Sequence, residues 1–365
     1  MFDTWVLRRP AFFILPSIVI IVALLMSASS TLALSFLSLF LTKLKTFLPV
    51  SYFNTTTTSP ISTLTTTPTT SPITSTTTTA SQPTKMPKAP VYFFSHGGPD
   101  VQYNTTHPVY PVLQSIGREI TQKVKPSAVV VFSAHWQPEN VGPDEIHVNN
   151  AEKTDLIYDF FGFPPHFYKA TFPSTGSPSL ASHIISLLSN SGIHAKGLTR
   201  GLDHGVFSGF NVAFPPTTNP LTVPLVQVSL FNSENPLSHF KLGEAVSSLR
   251  DQNIVIICTG MTVHNLRDMR LAFGRSEPMP YSVSFDNALK EATEQTDPEK
   301  RKEEMVKVLK RPDARQAHPW MDHLMPLYIA AGAAGEDRGK QTWTMHEASF
   351  AWAQYRFVEL PEESK

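Results

Sequence analysis

Residues 253–265 read NIVIICTGMTVHN: an apolar, largely β-branched run, a glycine, and then a histidine followed by an asparagine. A run that is apolar at successive positions suits a strand covered on both faces, because a half-exposed strand would alternate. The same pattern occurs twice upstream. Pro90–Phe94 (PVYFF) leads into Ser95 and His96, and Ala128–Phe132 (AVVVF) leads into Ser133, Ala134 and His135. Val223–Leu230 (VPLVQVSL) reads as a further buried strand. Between these runs, residues 109–123, 179–189 and 237–250 carry helical apolar spacing, the last entered through Asn235-Pro236. A C-terminal pair of helices is expected at about 286–310 and 320–332, the second starting after His318-Pro319 and stopping at Gly332 and Gly335. Buried strands alternating with helices predict a layered α/β domain whose sheet is at least partly parallel.

Composition narrows the function. The 365 residues carry 30 basic and 30 acidic side chains, so no net charge recommends a nucleic-acid partner, and the single cysteine, Cys258, rules out an intrachain disulfide and a four-thiolate zinc site. The first 85 residues differ from the rest. Residues 11–41 contain no charged side chain and are long enough to cross a bilayer, so residues 1–53 read as an N-terminal segment whose hydrophobic helix, at about 11–41, is a membrane anchor or a signal. Arg8 and Arg9 on one side and Lys43 and Lys45 on the other leave its orientation open. Residues 54–85 are dominated by threonine, serine and proline, which bury too little to offset their ordering entropy, and read as a disordered linker. The globular pattern starts at Met86, so residues 86–365 are the expected globular domain. The protein is membrane-anchored if residues 1–85 are retained and cytoplasmic if Met86 is the functional start. Oligomeric state is not legible.

Of the 13 histidines, three follow a buried strand closely: His96, His135 and His264. In α/β sheets the carboxyl ends of the strands border the ligand crevice, so these three can converge there and form a metal site. Each taken singly is an ordinary polar residue where a strand surfaces; the three together are harder to explain that way. Ser95-His96-Gly97-Gly98-Pro99 is a tight turn that allows close approach to the backbone, and Asn265 is placed to orient His264 by hydrogen bonding. His204, in GLDHGVF (201–207), reads as a general acid/base, as a further ligand, or as a solvent-exposed turn residue. His323, in HPWMDHLMPL (318–327), either faces the crevice or caps the start of a helix. Histidines 107, 147, 166, 183, 194, 239 and 346 have no comparable context.

SHGGP (95–99), SAHW (133–136), DFFGFP (159–164), GLDHGVF (201–207), VHNLR (263–267) and HPWMDHLMPL (318–327), in that order, resemble the class III extradiol ring-cleavage dioxygenases, and within them the DOPA 4,5-dioxygenase branch. The resemblance spans residues 86–365. It implies a three-layer α/β/α fold around a mixed sheet, and ferrous iron that opens a small aromatic diol with O₂. Carried over residue by residue, it makes His96, His135 and His264 metal ligands, and His204 an acid/base that is also counted as a ligand in zinc-filled members. His323 becomes a catalytic residue facing the crevice. Tyr158 to Pro164 becomes a loop bordering the substrate, with Tyr158, Phe161, Gly162, Phe163 and Asp203 in contact with it. Ser95, Gly97 and Asn265 support the ligands from behind. Gly98 stands where the family often has serine, and His264 where a carboxylate ligand is typical, which makes zinc a second candidate metal. Two other readings stay open: a zinc hydrolase using the same histidines, and a non-catalytic metal-binding member of the superfamily.

Overall fold

A computed structural model describes residues 88–358, apart from positions 140, 143, 273, 274 and 276. The hydrophobic segment and the threonine-rich tract expected from the sequence lie outside those residues. Among the described residues, no helix is long and apolar enough to cross a membrane.

The three decisive runs form adjacent parallel strands: β1 (Val91–Ser95), β2 (Ala128–Ser133) and β6 (Ile254–Gly260). β6 lies between the other two, pairing Val91 with Ile256 on one side and Ala128 with Ile254 on the other. β3 (Glu145–Asn149), β4 (His194–Leu198) and β5 (Leu225–Val228) extend the sheet on the β2 side; β8 (Gly339–Trp343) and β11 (Gln354–Phe357) extend it on the β1 side. The order is β4-β3-β5-β2-β6-β1-β11-β8, parallel in its centre and antiparallel at the β5–β3, β1–β11 and β11–β8 pairs. β7 (Val263–His264), β9 (His346–Glu347) and β10 (Phe350–Ala351) make a small second sheet in the order β7-β10-β9.

Pleating sends alternate side chains to opposite faces, and both faces are covered. Val91 and Phe93, Val130 and Phe132, and Ile256 and Cys258 enter one core with α2 (Pro178–Asn190), α4 (Pro236–Val246), α5 (Pro280–Thr293), α6 (Pro298–Val308) and α7 (Met325–Ala334). Tyr92 and Phe94, Val129 and Val131, and Val255 and Ile257 enter the other, with α1 (Val109–Arg118) and α3 (His204–Ala213). Each completely buried phenylalanine contributes about 1.5–3 kcal/mol, so the sheet centre is the stable platform of the domain. The result is a large mixed sheet with helices on both sides, as expected.

Two helix boundaries differ from the sequence reading. The expected helix at 286–310 is two helices, because Pro298 cannot accept a place in a helix interior and Asp297 caps the second one by accepting the Lys300 N–H at 2.7 Å. The helix expected from residue 320 begins at Met325, with Pro326 in its first turn, so residues 318–324 are freed to form the turn that carries His323.

Candidate active site

His96 follows β1 directly, His135 lies two residues beyond β2, and His264 ends β7, four residues after β6. Since β2, β6 and β1 are neighbours running in one direction, their carboxyl ends deliver all three imidazoles to the same side of the sheet. α3 brings His204 there by its first turn, and the 318–324 turn brings His323. Ring centroids lie 5.3 Å apart for His96 and His135, 5.5 Å for His96 and His323, 4.9 Å for His135 and His323, and 3.9 Å for His135 and His204. His264 stacks on His323 at 3.7 Å with planes 8° apart. All five histidines named from the sequence are therefore brought together.

Ligand atoms of His96, His135 and His323 lie within 4.8 Å of one another. Their environment leaves lone pairs to donate. The Gly97 carbonyl, 2.6 Å from His96 Nδ1, can only accept, so it places the ring proton there, and Nε2 is buried without a hydrogen-bond partner among the described residues. The Nε2 atoms of His135 and His323 face each other at 3.2 Å, an arrangement that needs either a shared proton or a cation. Burial, followed by the neighbouring His135 and His323, holds His96 well below the usual histidine range; burial and His323 do the same to His264. An orphaned buried nitrogen and several neutral imidazoles at one point fit a first-row metal ion.

Asp159 joins this cluster, although the motif reading gives it no separate part. Its Oδ2 lies 3.1 Å from His135 Nδ1 and its Oδ1 2.9 Å from His204 Nδ1. Oδ1 also accepts the His204 backbone N–H at 3.0 Å, at the open start of α3. The loop is placed by a short pairing with the 201–203 turn: Ile157 N–H donates to Leu202 O at 2.7 Å and Leu202 N–H to Asp155 O at 2.8 Å. Burial works to raise the Asp159 carboxyl, but the two histidine hydrogen bonds outweigh it and hold the group well below the carboxylate range. His204 is lowered by burial and by His135, partly offset by Asp159. For His135, burial is overcome by the Asp159 bond and the net shift is upward. A sequence signal for Asp159 was present, since it is the one carboxylate in DFFGFP.

The remaining expected residues take distinct places. Asp203 is completely buried, with Oδ1 accepting from Ser133 at 2.7 Å and Oδ2 from Arg200 at 2.8 Å and Gln227 at 2.6 Å, so it braces the floor of the site. Tyr158 donates to Ala170 O at 2.7 Å, Phe163 packs on Phe160, and Phe161 and Gly162 lie at the surface. The aromatic ring against His204 belongs to Phe160, edge-on at 5.6 Å and buried. Ser95 ties the end of β1 to Ala353 O at 2.8 Å. Gly97 has φ +65°, and a Cβ there would stand 2.3 Å from the Trp352 ring. Asn265 anchors the loop after His264, donating to Gln316 O at 2.7 Å and accepting from Arg267 N–H at 2.9 Å. Solvent reaches the cluster at His135 and Asp159, whose side chains are each 21% exposed.

Comparison with known proteins agrees with this geometry. Residues 84–357 match the family model described as the catalytic LigB subunit of aromatic ring-opening dioxygenase. A beet (Beta vulgaris) protein named 4,5-DOPA dioxygenase extradiol is 34% identical over 249 residues, covering 67% of this chain and 87% of the relative. A Schizosaccharomyces pombe protein named 4,5-DOPA dioxygenase extradiol-like protein is 33% identical over 245 residues, covering 67% and 80%. The crystal structure of an uncharacterised Escherichia coli K12 protein shares the fold, with a TM-score of 0.59 at 24% identity over 74% of this chain and all of that one. The chain belongs to the LigB family of aromatic ring-opening dioxygenases, in its DOPA-dioxygenase-like branch, and is an oxidoreductase that incorporates molecular oxygen.

Proposed function

We propose that this enzyme opens a small catechol beside its two hydroxyls, with DOPA-like diols the first substrates to try, using ferrous iron held in the histidine cluster. The observation that carries the reading is the convergence of imidazoles just beyond the ends of three adjacent parallel strands, with His96 buried and its Nε2 orphaned among the described residues. His96, His135 and His323 bring three imidazole ligand atoms together, whereas His264, expected from the sequence to be a ligand, stacks on His323 just outside that set. Bound iron would supply the open coordination positions and the redox chemistry that catechol and O₂ require. Zinc would fit the same donors but has no redox chemistry.

The chain's own residues supply binding and proton movement. Because the Asp159 carboxylate accepts from His204 Nδ1, the Nε2 lone pair of His204 is left to take a catechol hydroxyl proton and later return one. Phe160 covers one edge of His204, so proton exchange with bulk water is restricted on that side. The aromatic 158–168 segment gives a planar ring an apolar wall. Anaerobic loading with Fe²⁺ followed by a catechol panel including DOPA tests the reading. O₂ uptake with a yellow semialdehyde product is expected; ester or amide cleavage that proceeds without O₂ on the zinc form would select a hydrolase instead.

A further inference from the structure

We propose that Asp159 is a positioning residue shared by the metal site and the acid/base histidine, holding His135 and His204 together in the tautomer that carries its proton on Nδ1. The role given to the metal rests on the dioxygenase reading, whereas the test below does not depend on turnover.

A neutral imidazole has one proton and one lone pair, and an ionised carboxylate can only accept. Facing Asp159 Oδ2 at 3.1 Å, His135 must carry its proton on Nδ1, which leaves Nε2, the atom 3.2 Å from His323 Nε2, free for a cation. Facing Oδ1 at 2.9 Å, His204 must do the same, which leaves its Nε2 as a proton acceptor. One side chain therefore sets the proton position on two rings with different tasks. The first relation is the carboxylate–histidine–metal arrangement that orients ligands elsewhere. Asp159, His135 and His204 also place ligand atoms within 4.8 Å of one another, so the carboxylate itself must be considered as a ligand. Against that, Oδ1 already accepts a backbone N–H at 3.0 Å, and His135 would need to serve a second ion through Nδ1.

The shared role makes an asymmetric prediction for Asp159→Asn. The His204 backbone N–H is a fixed donor, so the amide oxygen must take the Oδ1 position. The amide NH₂ then faces His135 Nδ1, which has to become an acceptor, moving the His135 proton to Nε2 and removing that nitrogen from the metal. The variant keeps its shape and one histidine contact but loses a ligand.

The experiment is a competition titration with Zn²⁺ against a chromogenic chelator, on wild-type protein, Asp159→Asn and Asp159→Glu, with thermal melting alongside. The zinc dissociation constant of Asp159→Asn is expected to rise about 10–100-fold at a near-unchanged melting temperature, with Asp159→Glu recovering part of the loss because it remains acceptor-only. Wild-type affinity in Asp159→Asn overturns the proposal, as does a second zinc equivalent in the wild type that disappears with the carboxylate. Should the variants not fold, ¹⁵N spectra of the wild-type imidazoles decide: protonated Nδ1 on both His135 and His204 supports the proposal, and protonated Nε2 on either overturns it. A wild type that binds zinc as described yet consumes no O₂ with iron refutes the dioxygenase reading alone.

Discussion

Gly260→Ala is the substitution that most directly probes how the cluster is assembled. Gly260 ends β6, pairs with Ser95, and accepts the His96 N–H at 3.0 Å; the next residue, Met261, donates its N–H to His323 O at 2.9 Å. A Cβ at Gly260 would stand 2.1 Å from His323 O, against the 3.0 Å below which such contacts essentially never occur, so something must retreat by about 0.9 Å. If the 318–324 turn moves, His323 leaves; if β6 moves, it takes His96 with it. The overpacking should cost about 1–3 kcal/mol of stability, and a displacement near 1 Å at a reacting centre typically costs about 10²-fold in rate. Thermal melts, zinc competition and O₂ uptake by the iron-loaded enzyme measure both effects. Gly117→Ala is the comparison, since its Cβ would meet Ala213 O at 1.8 Å where α1 crosses the end of α3 remote from His204. It should lose similar stability and keep its metal affinity. A Gly260→Ala enzyme that binds zinc and turns over like wild type would show that this strand end does not seat His323.

Three further outcomes follow from the same geometry. His204→Gln should lower kcat by about 10²–10⁴-fold while zinc competition stays near wild type, because His204 stands outside the His96, His135 and His323 set that holds the orphaned nitrogen. Zinc at about 100 times its dissociation constant should stabilise the protein by about 2.7 kcal/mol, seen as a raised melting temperature that His96→Ala abolishes. Away from the site, burial pushes His239 from 6.5 down to about 4. Its folded form resists a proton that the unfolded chain accepts, so stability is complete above pH 6.5, falls between pH 6.5 and about 4, and levels below; the loss is bounded at about 3 kcal/mol, and urea melts of His239→Gln should show a shallower decline over that window.

The centre of the sheet was legible because β1, β2 and β6 are covered on both faces and therefore read as continuous apolar runs. Histidines placed just beyond such runs could be assigned to one crevice by topology alone. The edge strand β4 and the small second sheet were not legible: β4 is His-Ala-Lys-Gly-Leu, largely exposed, and β7, β9 and β10 are two residues each, held by pairing and not by composition. The break at Asp297-Pro298 was written in a capping aspartate and a proline, and the late start at Met325-Pro326 in a first-turn proline, neither of which apolar spacing alone registers. Asp159 was harder, because its importance comes from the Ile157–Leu202 pairing that carries it to His204 across 45 residues of chain. Asp203 is the converse case: its neighbour in sequence is at the site, yet its own carboxylate points to Ser133, Arg200 and Gln227 beneath it.

A redox metal held by these histidines would open the ring with oxygen taken from O₂. Mass spectrometry of the product formed from a catechol under ¹⁸O₂, by iron-loaded protein, follows that oxygen. Both labelled atoms are expected in the ring-opened product, and His96→Ala should form none. Unlabelled product, or product formed equally well in the absence of oxygen, would contradict that chemistry.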